Sequence, residues 1–348
     1  MSTQELKATI KDMVVVGKGI LAADESAKTA AKRLASINVE STEETRRQYR
    51  NLILTAPGIE KYICGVILYE ETLSQKTDDG VLFPQHLKSV GVVPGIKVDE
   101  GLAEFNGSIE QYAKGLDGLG DRLEKYKKFG CRFAKWRAVY HITENTPTER
   151  AVKKNAQDLA KYAKICQKHG IVPIVEPEVL IDGTHSIGEC RKVTEKVLKE
   201  VFAELKKEKV VVEYAILKPS MVISGKEAIN RAGVDEVARQ TINVLKATIP
   251  YELPSINFLS GGQTPQEATA HLNRMHTLGE TLSWYVSFSY ARALQDPALK
   301  AWQGKEENIE AGQHAFIKRA KLNSLATLGK YKEEMEKNVD DVMKVYEG

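Results

Sequence analysis

The sequence predicts an α/β fold closed into an eight-stranded barrel, and three observations carry that prediction. Eight short apolar runs recur along the chain, their starts 30 to 45 residues apart. Each interval has room for one helix and two loops. Nearly every run ends in an ionisable or small polar residue, as strands do when their ends line a common mouth.

The runs are Gly19–Ala23, Cys64–Tyr69, Pro94–Val98, Cys131–Tyr140, Ile171–Leu180, Tyr214–Leu217, Ser255–Leu259 and Tyr285–Tyr290. They are rich in Val and Ile and do not strictly alternate, the mark of strands buried on both faces. Helix signals lie between them. Ser41 to Glu44 opens one helix. Thr146-Pro147-Thr148-Glu149 reads as a capping box with Pro at the first helical position. Val152, Ala156, Leu159, Ala163 and Cys166 follow at helical spacing, and Gly170 stops that helix. Thr264-Pro265-Gln266-Glu267 repeats the box after the seventh run. From about residue 323 the pattern loosens into a charged helix or tail outside the core. No linker or repeat divides the chain, so residues 1–348 read as a single barrel domain with that tail. Alternation alone leaves an open doubly wound sheet as the alternative.

Composition excludes several functions. Of 348 residues, 42% are hydrophobic and 28% charged, which excludes global disorder. Fifty Lys and Arg against 47 Asp and Glu leave a net charge of +3, giving no electrostatic case for nucleic acid or an acidic membrane. No apolar run approaches the ~18 residues of a membrane helix. Met1 to Met13 alternates charged and apolar residues and has no signal-peptide core. Cys64, Cys131, Cys166 and Cys190 form no Cys-x-x-Cys pair, and read as free buried thiols in a reducing cytoplasm.

The chemistry sits at the strand ends. Asp24, Lys97, Lys135 with Arg137, Glu176 with Glu178, Lys218, Ser260-Gly261-Gly262 and Arg292 each close or follow a run. Side chains two apart on a strand share a face, which pairs Lys135 with Arg137 and Glu176 with Glu178. Taken singly, each is an ordinary loop lysine, helix cap or turn glycine. Together, several cations and three acids at one end of a barrel are costly to hold without a use. Two anionic substrate groups supply one. Ser260-Gly261-Gly262 before a capped helix offers backbone N–H groups, with Arg292 on the next strand end. Lys97 and Arg137 can hold a second phosphate across the mouth. A lysine among cations also suggests covalent catalysis. An ordinary lysine, with a pKa near 10.4, is neutral about once in 2,500 at pH 7. Burial and neighbouring charge lower that barrier, and Lys135 and Lys218 are the candidates for such mutual tuning. Glu176 or Glu178 then shuttles protons.

At these residues the sequence resembles class I (Schiff-base) fructose-bisphosphate aldolases, from about Gly17 to Gly329. The strings are Leu21-Ala22-Ala23-Asp24-Glu25-Ser26, Gly95-Ile96-Lys97-Val98-Asp99, Phe133-Ala134-Lys135-Trp136-Arg137, Ile174-Val175-Glu176-Pro177-Glu178, Leu217-Lys218-Pro219, Leu259-Ser260-Gly261-Gly262 and Tyr290-Ala291-Arg292. The resemblance implies a (β/α)8 TIM barrel, usually a homotetramer, that needs no metal and no other cofactor. It implies that Lys218 forms the Schiff base with C2 of a phosphorylated ketose and that Glu176 shuttles protons. Asp24 takes the C4 hydroxyl proton, Lys135 supplies nearby positive charge, and Glu178 holds these charges in place. Ser260, Gly261 and Arg292 bind the C1 phosphate, while Ser26, Thr29, Arg33, Lys97 and Arg137 line the C6-phosphate side.

Two departures stand out. The family typically has Gly where this sequence has Ala291. Eukaryotic members commonly end in a Tyr that assists proton transfer, whereas here Tyr346 is followed by Glu347 and Gly348. Two other readings compete. A metal-dependent aldolase would need ligand pairs, but His86, His141, His169, His185, His271, His276 and His314 form no His-x-x-x-His or similar motif. A barrel used chiefly as a binding scaffold would have no need of Lys218, Glu176 and Asp24.

Overall fold

The computed structural model describes residues 3–105 and 107–337. The strands are β1 (Gly19–Ala23), β2 (Ile63–Leu68), β3 (Val93–Lys97), β4 (Leu102–Glu104), β5 (Gln111–Ala113), β6 (Phe133–Tyr140), β7 (Val172–Val179), β8 (Ile216–Leu217), β9 (Ser255–Phe258) and β10 (Tyr285–Tyr290). Eight of them close a parallel barrel in the order β1, β2, β3, β6, β7, β8, β9, β10, with β10 hydrogen-bonded back to β1. All eight apolar runs are barrel strands, and closure excludes the open sheet.

Two side-chain sets alternate along each strand. One set faces the outer helices: Leu21, Val66, Ile96, Trp136, Val175, Leu217, Ile256 and Tyr290 join a single large core. The other set points into the barrel. There Ile20, Ala22, Ile67, Phe133, Ile174 and Ile216 form a second, apolar cluster. Leu6 and Met13 of the helix Thr3–Met13 complete it from the end where the strands begin. Phe133 fills the barrel axis because its neighbours are small. A Cβ on Gly95 of β3 would overlap its ring, and one on Gly65 of β2 would meet it at 3.1 Å. Moving two residues along the inward-facing set leads from this dry floor to the charges: Phe133 to Lys135, Ile174 to Glu176, Ile216 to Lys218, Ala22 to Asp24.

Helix ends follow local chemistry, with corrections. Thr264 caps the helix Pro265–Thr277 through a capping box with Glu267, as its sequence predicts. Gly170 follows the helix Glu149–Lys168 at φ +71°. The start of that helix is different. Thr148, not Thr146, is the cap, and Pro147 precedes it. The Glu110 carboxylate decides this, accepting from both the N–H and the hydroxyl of Thr148 at 2.7 Å. The helix predicted at Ser41 to Glu44 starts at Glu43, capped by Thr42. The hairpin β4–β5 carries no sequence signal strong enough to predict it. The helix Ile309–Thr327 runs through residue 323, where a helix or tail outside the core was expected; Asn323 is buried and its Oδ1 accepts from Thr269 at 2.7 Å. No helix among the described residues is long and apolar enough to cross a membrane. All four cysteines are free and buried.

Because the Phe133 ring occupies the space beside Gly95, a Gly95→Ala variant is expected to lose about 1–3 kcal/mol of stability by overpacking. Urea unfolding with an unchanged denaturant slope is the measurement that checks it.

Candidate active site

The inward-facing charges meet in one cavity of about 390 Å³ at the ends of the barrel strands. Strand register sets their levels. Lys97 on β3 lies beside Lys135 on β6, and Arg137 lies beside Glu176 on β7. Lys218 directly follows β8, where its N–H bonds the Val175 carbonyl at 2.8 Å. Six cations (Arg33, Lys97, Lys135, Arg137, Lys218, Arg292) and five carboxylates (Asp24, Glu25, Asp99, Glu176, Glu178) line the cavity.

Four of these form a line of alternating charge on the apolar floor. Asp24 Oδ2 is 2.7 Å from Lys135 Nζ, and Lys135 Nζ is 3.1 Å from Glu176 Oε2. Lys218 Nζ donates to Glu176 Oε1 at 2.6 Å. Glu176 thus stands between the two lysines, with one oxygen on each. Lys135, Glu176 and Lys218 are all buried.

The electrostatics follow from that line. Burial alone would raise the Asp24 carboxyl, but Lys135, Lys218 and Lys97 outweigh it and hold the group well below the usual carboxylate range. Burial alone would lower Lys135, but Asp24, Glu176 and Asp99 outweigh it and hold the ammonium well above its ordinary value. This corrects the expectation of a lowered value for Lys135: three carboxylates surround it, so it is a fixed cation. Glu178 would be raised by burial but is held low by Arg137, whose Nε donates to it. Its partner is therefore Arg137.

Thirteen of the fourteen residues singled out from the sequence line this cavity. Tyr346 lies outside the described residues. On one side, Ser260, Gly261 and Arg292 cluster where β9 and β10 end. Gly261 and Gly262 adopt φ +53° and +82°, conformations that L side chains rarely adopt. A Cβ on Gly262 would also come within 2.9 Å of Ile181. Such a turn directs successive N–H groups to one side. Ala291 caps the helix Arg292–Trp302 at φ −103°, where a Cβ brings no left-handed strain. Beside them, where β1 ends next to β10, Ser26 caps the helix Ala27–Ala35, and its hydroxyl lies 3.2 Å from that of Thr29. Lys97 pairs with Asp99 at 2.8 Å. Arg33 also lines the cavity, but its NH1 is engaged by Glu25 at 2.8 Å, by Gln295 Oε1 at 3.1 Å and by Tyr49 at 3.3 Å.

Sequence reasoning missed Asp99, Glu25 and Ser289, which also line the cavity. Asp99 had a usable signal, standing two residues beyond Lys97. Glu25 and Ser289 had none. Among the described residues, no group of three or more His, Cys, Asp or Glu is arranged to hold a metal ion.

Removing Lys135 takes the salt-bridge partner from Asp24 and one of two cations from the buried Glu176, so Lys135→Met is expected to cost about 3 kcal/mol near neutral pH. In the native protein, the stability that Asp24 contributes is present above the ordinary carboxylate range. It is lost as pH falls through the group's depressed folded value. In the variant, burial of Asp24 is no longer opposed by Lys135, and its carboxylate takes up a proton more readily. The stability deficit of Lys135→Met should therefore shrink as pH is lowered, which chemical denaturation across a pH series checks.

The comparisons with known proteins agree with this geometry. The family model described as glycolytic class I fructose-bisphosphate aldolase matches residues 5–347. The chain is 51% identical to cytosolic fructose-bisphosphate aldolase 4 of Arabidopsis thaliana, over 95% of this chain and 84% of that one. It is 50% identical to a probable class 1 fructose-bisphosphate aldolase of Xanthomonas axonopodis, over 95% of this chain and all of the other. A co-crystal structure of Plasmodium falciparum fructose-bisphosphate aldolase, in complex with TRAP and a small molecule inhibitor, superposes with a TM-score of 0.92. It is 46% identical, covering 94% of this chain and 95% of that one. With eight parallel strands, buried lysines at their ends and matches across almost its whole length, this chain belongs to the class I fructose-bisphosphate aldolase family.

Proposed function

We propose that this cavity cleaves fructose 1,6-bisphosphate reversibly to dihydroxyacetone phosphate and glyceraldehyde 3-phosphate through a Schiff base on Lys218. The observation that carries the reading is the line Asp24, Lys135, Glu176, Lys218, its last three members buried. Each member stands where the reaction needs a group with its chemistry.

Glu176 Oε1, 2.6 Å from the Lys218 amine, takes its proton and frees the nitrogen lone pair. That nitrogen attacks the ketose C2, giving a carbinolamine. The proton returns from Glu176 to the C2 hydroxyl, which leaves as water, and a protonated imine forms. Asp24, kept anionic by the lysines around it, removes the C4 hydroxyl proton. The C3–C4 bond then breaks, and its electron pair flows into the imine to give an enamine and the free aldehyde product. Protonation at C3 and hydrolysis release the second product and restore the amine. Lys135, a fixed cation between Asp24 and Glu176, keeps both carboxylates in place while protons move.

The two phosphates span the mouth. Ser260, Gly261 and Arg292 bind the C1 phosphate, through the turn's N–H groups and a guanidinium. Ser26, Thr29, Lys97 and Arg137 bind the C6 phosphate, with Arg33 behind them. Glu178 holds Arg137 toward the cavity. We further propose a cytoplasmic homotetramer. The four buried free thiols and the cytosolic Arabidopsis relative support the location. The family resemblance supports the assembly.

Borohydride reduction with dihydroxyacetone phosphate, in EDTA, is expected to leave a stable adduct that peptide mass mapping finds on Lys218. Lys218→Met should lose both adduct and turnover while keeping its fold. An adduct elsewhere, or an active Lys218→Met, contradicts the assignment. Arg292→Ala should raise KM for phosphorylated ketoses roughly tenfold or more, the size of one lost charge-assisted hydrogen bond. An unchanged KM puts the C1 phosphate elsewhere.

A further inference from the structure

We propose that Gln295 is a positioning residue that fixes the spacing between the two phosphate-binding flanks, and through it the preference for a ketose carrying two phosphates. The inference rests on the assignment of those flanks given above.

Gln295 is fully buried, three residues into the helix that begins at Arg292. Its Oε1 accepts from Arg33 NH1 at 3.1 Å and from the Tyr49 hydroxyl. Its Nε2 donates to the Ala22 carbonyl on β1. The amide orientation is settled by its partners, since a guanidinium only donates and a carbonyl only accepts. Arg33 closes the network through Glu25 at 2.8 Å and Tyr49 at 3.3 Å.

One side chain therefore joins four pieces of the site. They are the helix carrying Arg292, the strand leading to Asp24, the helix Ala27–Ala35 carrying Thr29 and Arg33, and the helix Glu43–Leu54 carrying Tyr49. The first belongs to the C1-phosphate flank and the third to the C6-phosphate flank. A substrate with two phosphates binds well only if both flanks are held at the separation of its ends. A monophosphate engages one flank and is insensitive to their separation.

The position calls for an amide. A carboxylate there would face the Ala22 carbonyl with no proton to give. It would also stand beside Glu25 and Asp296, whose carboxyls burial already pushes toward the neutral form. An apolar side chain would leave Arg33, Tyr49 and Ala22 each missing a partner in a dry site. A packing role alone would demand neither the donor nor the acceptor.

The test is Gln295→Met, which keeps the length and removes the hydrogen bonds, with Tyr49→Phe as a milder second variant. Kinetics are measured with fructose 1,6-bisphosphate and with fructose 1-phosphate. The expected result is a KM for the bisphosphate raised about tenfold, with kcat and the fructose 1-phosphate KM within about twofold. Tyr49→Phe should shift the same ratio in the same direction by less, and it decides the matter if Gln295→Met does not fold. Equal changes for both substrates, or none, would overturn the proposal. Lys97→Met, which alters the C6-phosphate flank directly, separates the two ways of failing. If it shifts the ratio and the Gln295 and Tyr49 variants do not, the positioning role is wrong and the flank assignment stands. If it too leaves the ratio unchanged, both fall.

Discussion

The structure depends on holding Asp24, Lys135, Glu176 and Lys218 together on an apolar floor. Ionised groups out of water are costly unless each meets an opposite charge in good geometry. Here each inner member touches two partners of opposite sign, and the ends are neighbours of Lys97 and Glu178 in the same cavity. The dry floor raises the stakes in both directions. It strengthens each pairing, and it makes any missing partner expensive. The same arrangement that makes the site stable keeps Asp24 ionised and a proton acceptor beside Lys218.

Only a closed barrel with this register assembles the line. Asp24 follows β1, Lys135 lies on β6, Glu176 on β7, and Lys218 follows β8. The glycines at 65 and 95 contribute at a distance, since they admit Phe133 to the axis and so set the level at which the polar layer begins. Ser260-Gly261-Gly262 and Arg292 stand where β9 and β10 end, the Ser26-capped helix stands beside them where β1 ends, and Lys97 on β3 lies across the ring from β9.

Much of this was legible before any coordinates. Strands buried on both faces leave long apolar runs, so all eight barrel strands announce themselves. Charges closing those runs are conspicuous, and parity pairs Lys135 with Arg137 and Glu176 with Glu178. What was not legible depends on distant partners. The cap at Thr148 rather than Thr146 is decided by Glu110, which no local pattern around Pro147 reveals. The hairpin Leu102–Ala113 is short and half-exposed, so burial leaves little imprint on it. Lys135 looked like one cation among others because its acids arrive from three other parts of the barrel wall. Arg33 looked like a free phosphate ligand because Gln295 and Tyr49 lie on other helices.

The central claim is a division of labour along the line: Glu176 serves the amine at one end and Asp24 the carbon–carbon bond at the other. Rapid-quench trapping of the imine alongside product formation, in Glu176→Gln and Asp24→Asn, tests it most directly. The account predicts that Glu176→Gln slows imine formation by about 10²–10⁴-fold, the usual weight of a positioned proton shuttle. It predicts that Asp24→Asn forms the imine at close to the native rate and then fails to cleave. An imine formed at the native rate without Glu176, or normal cleavage without Asp24, would contradict it.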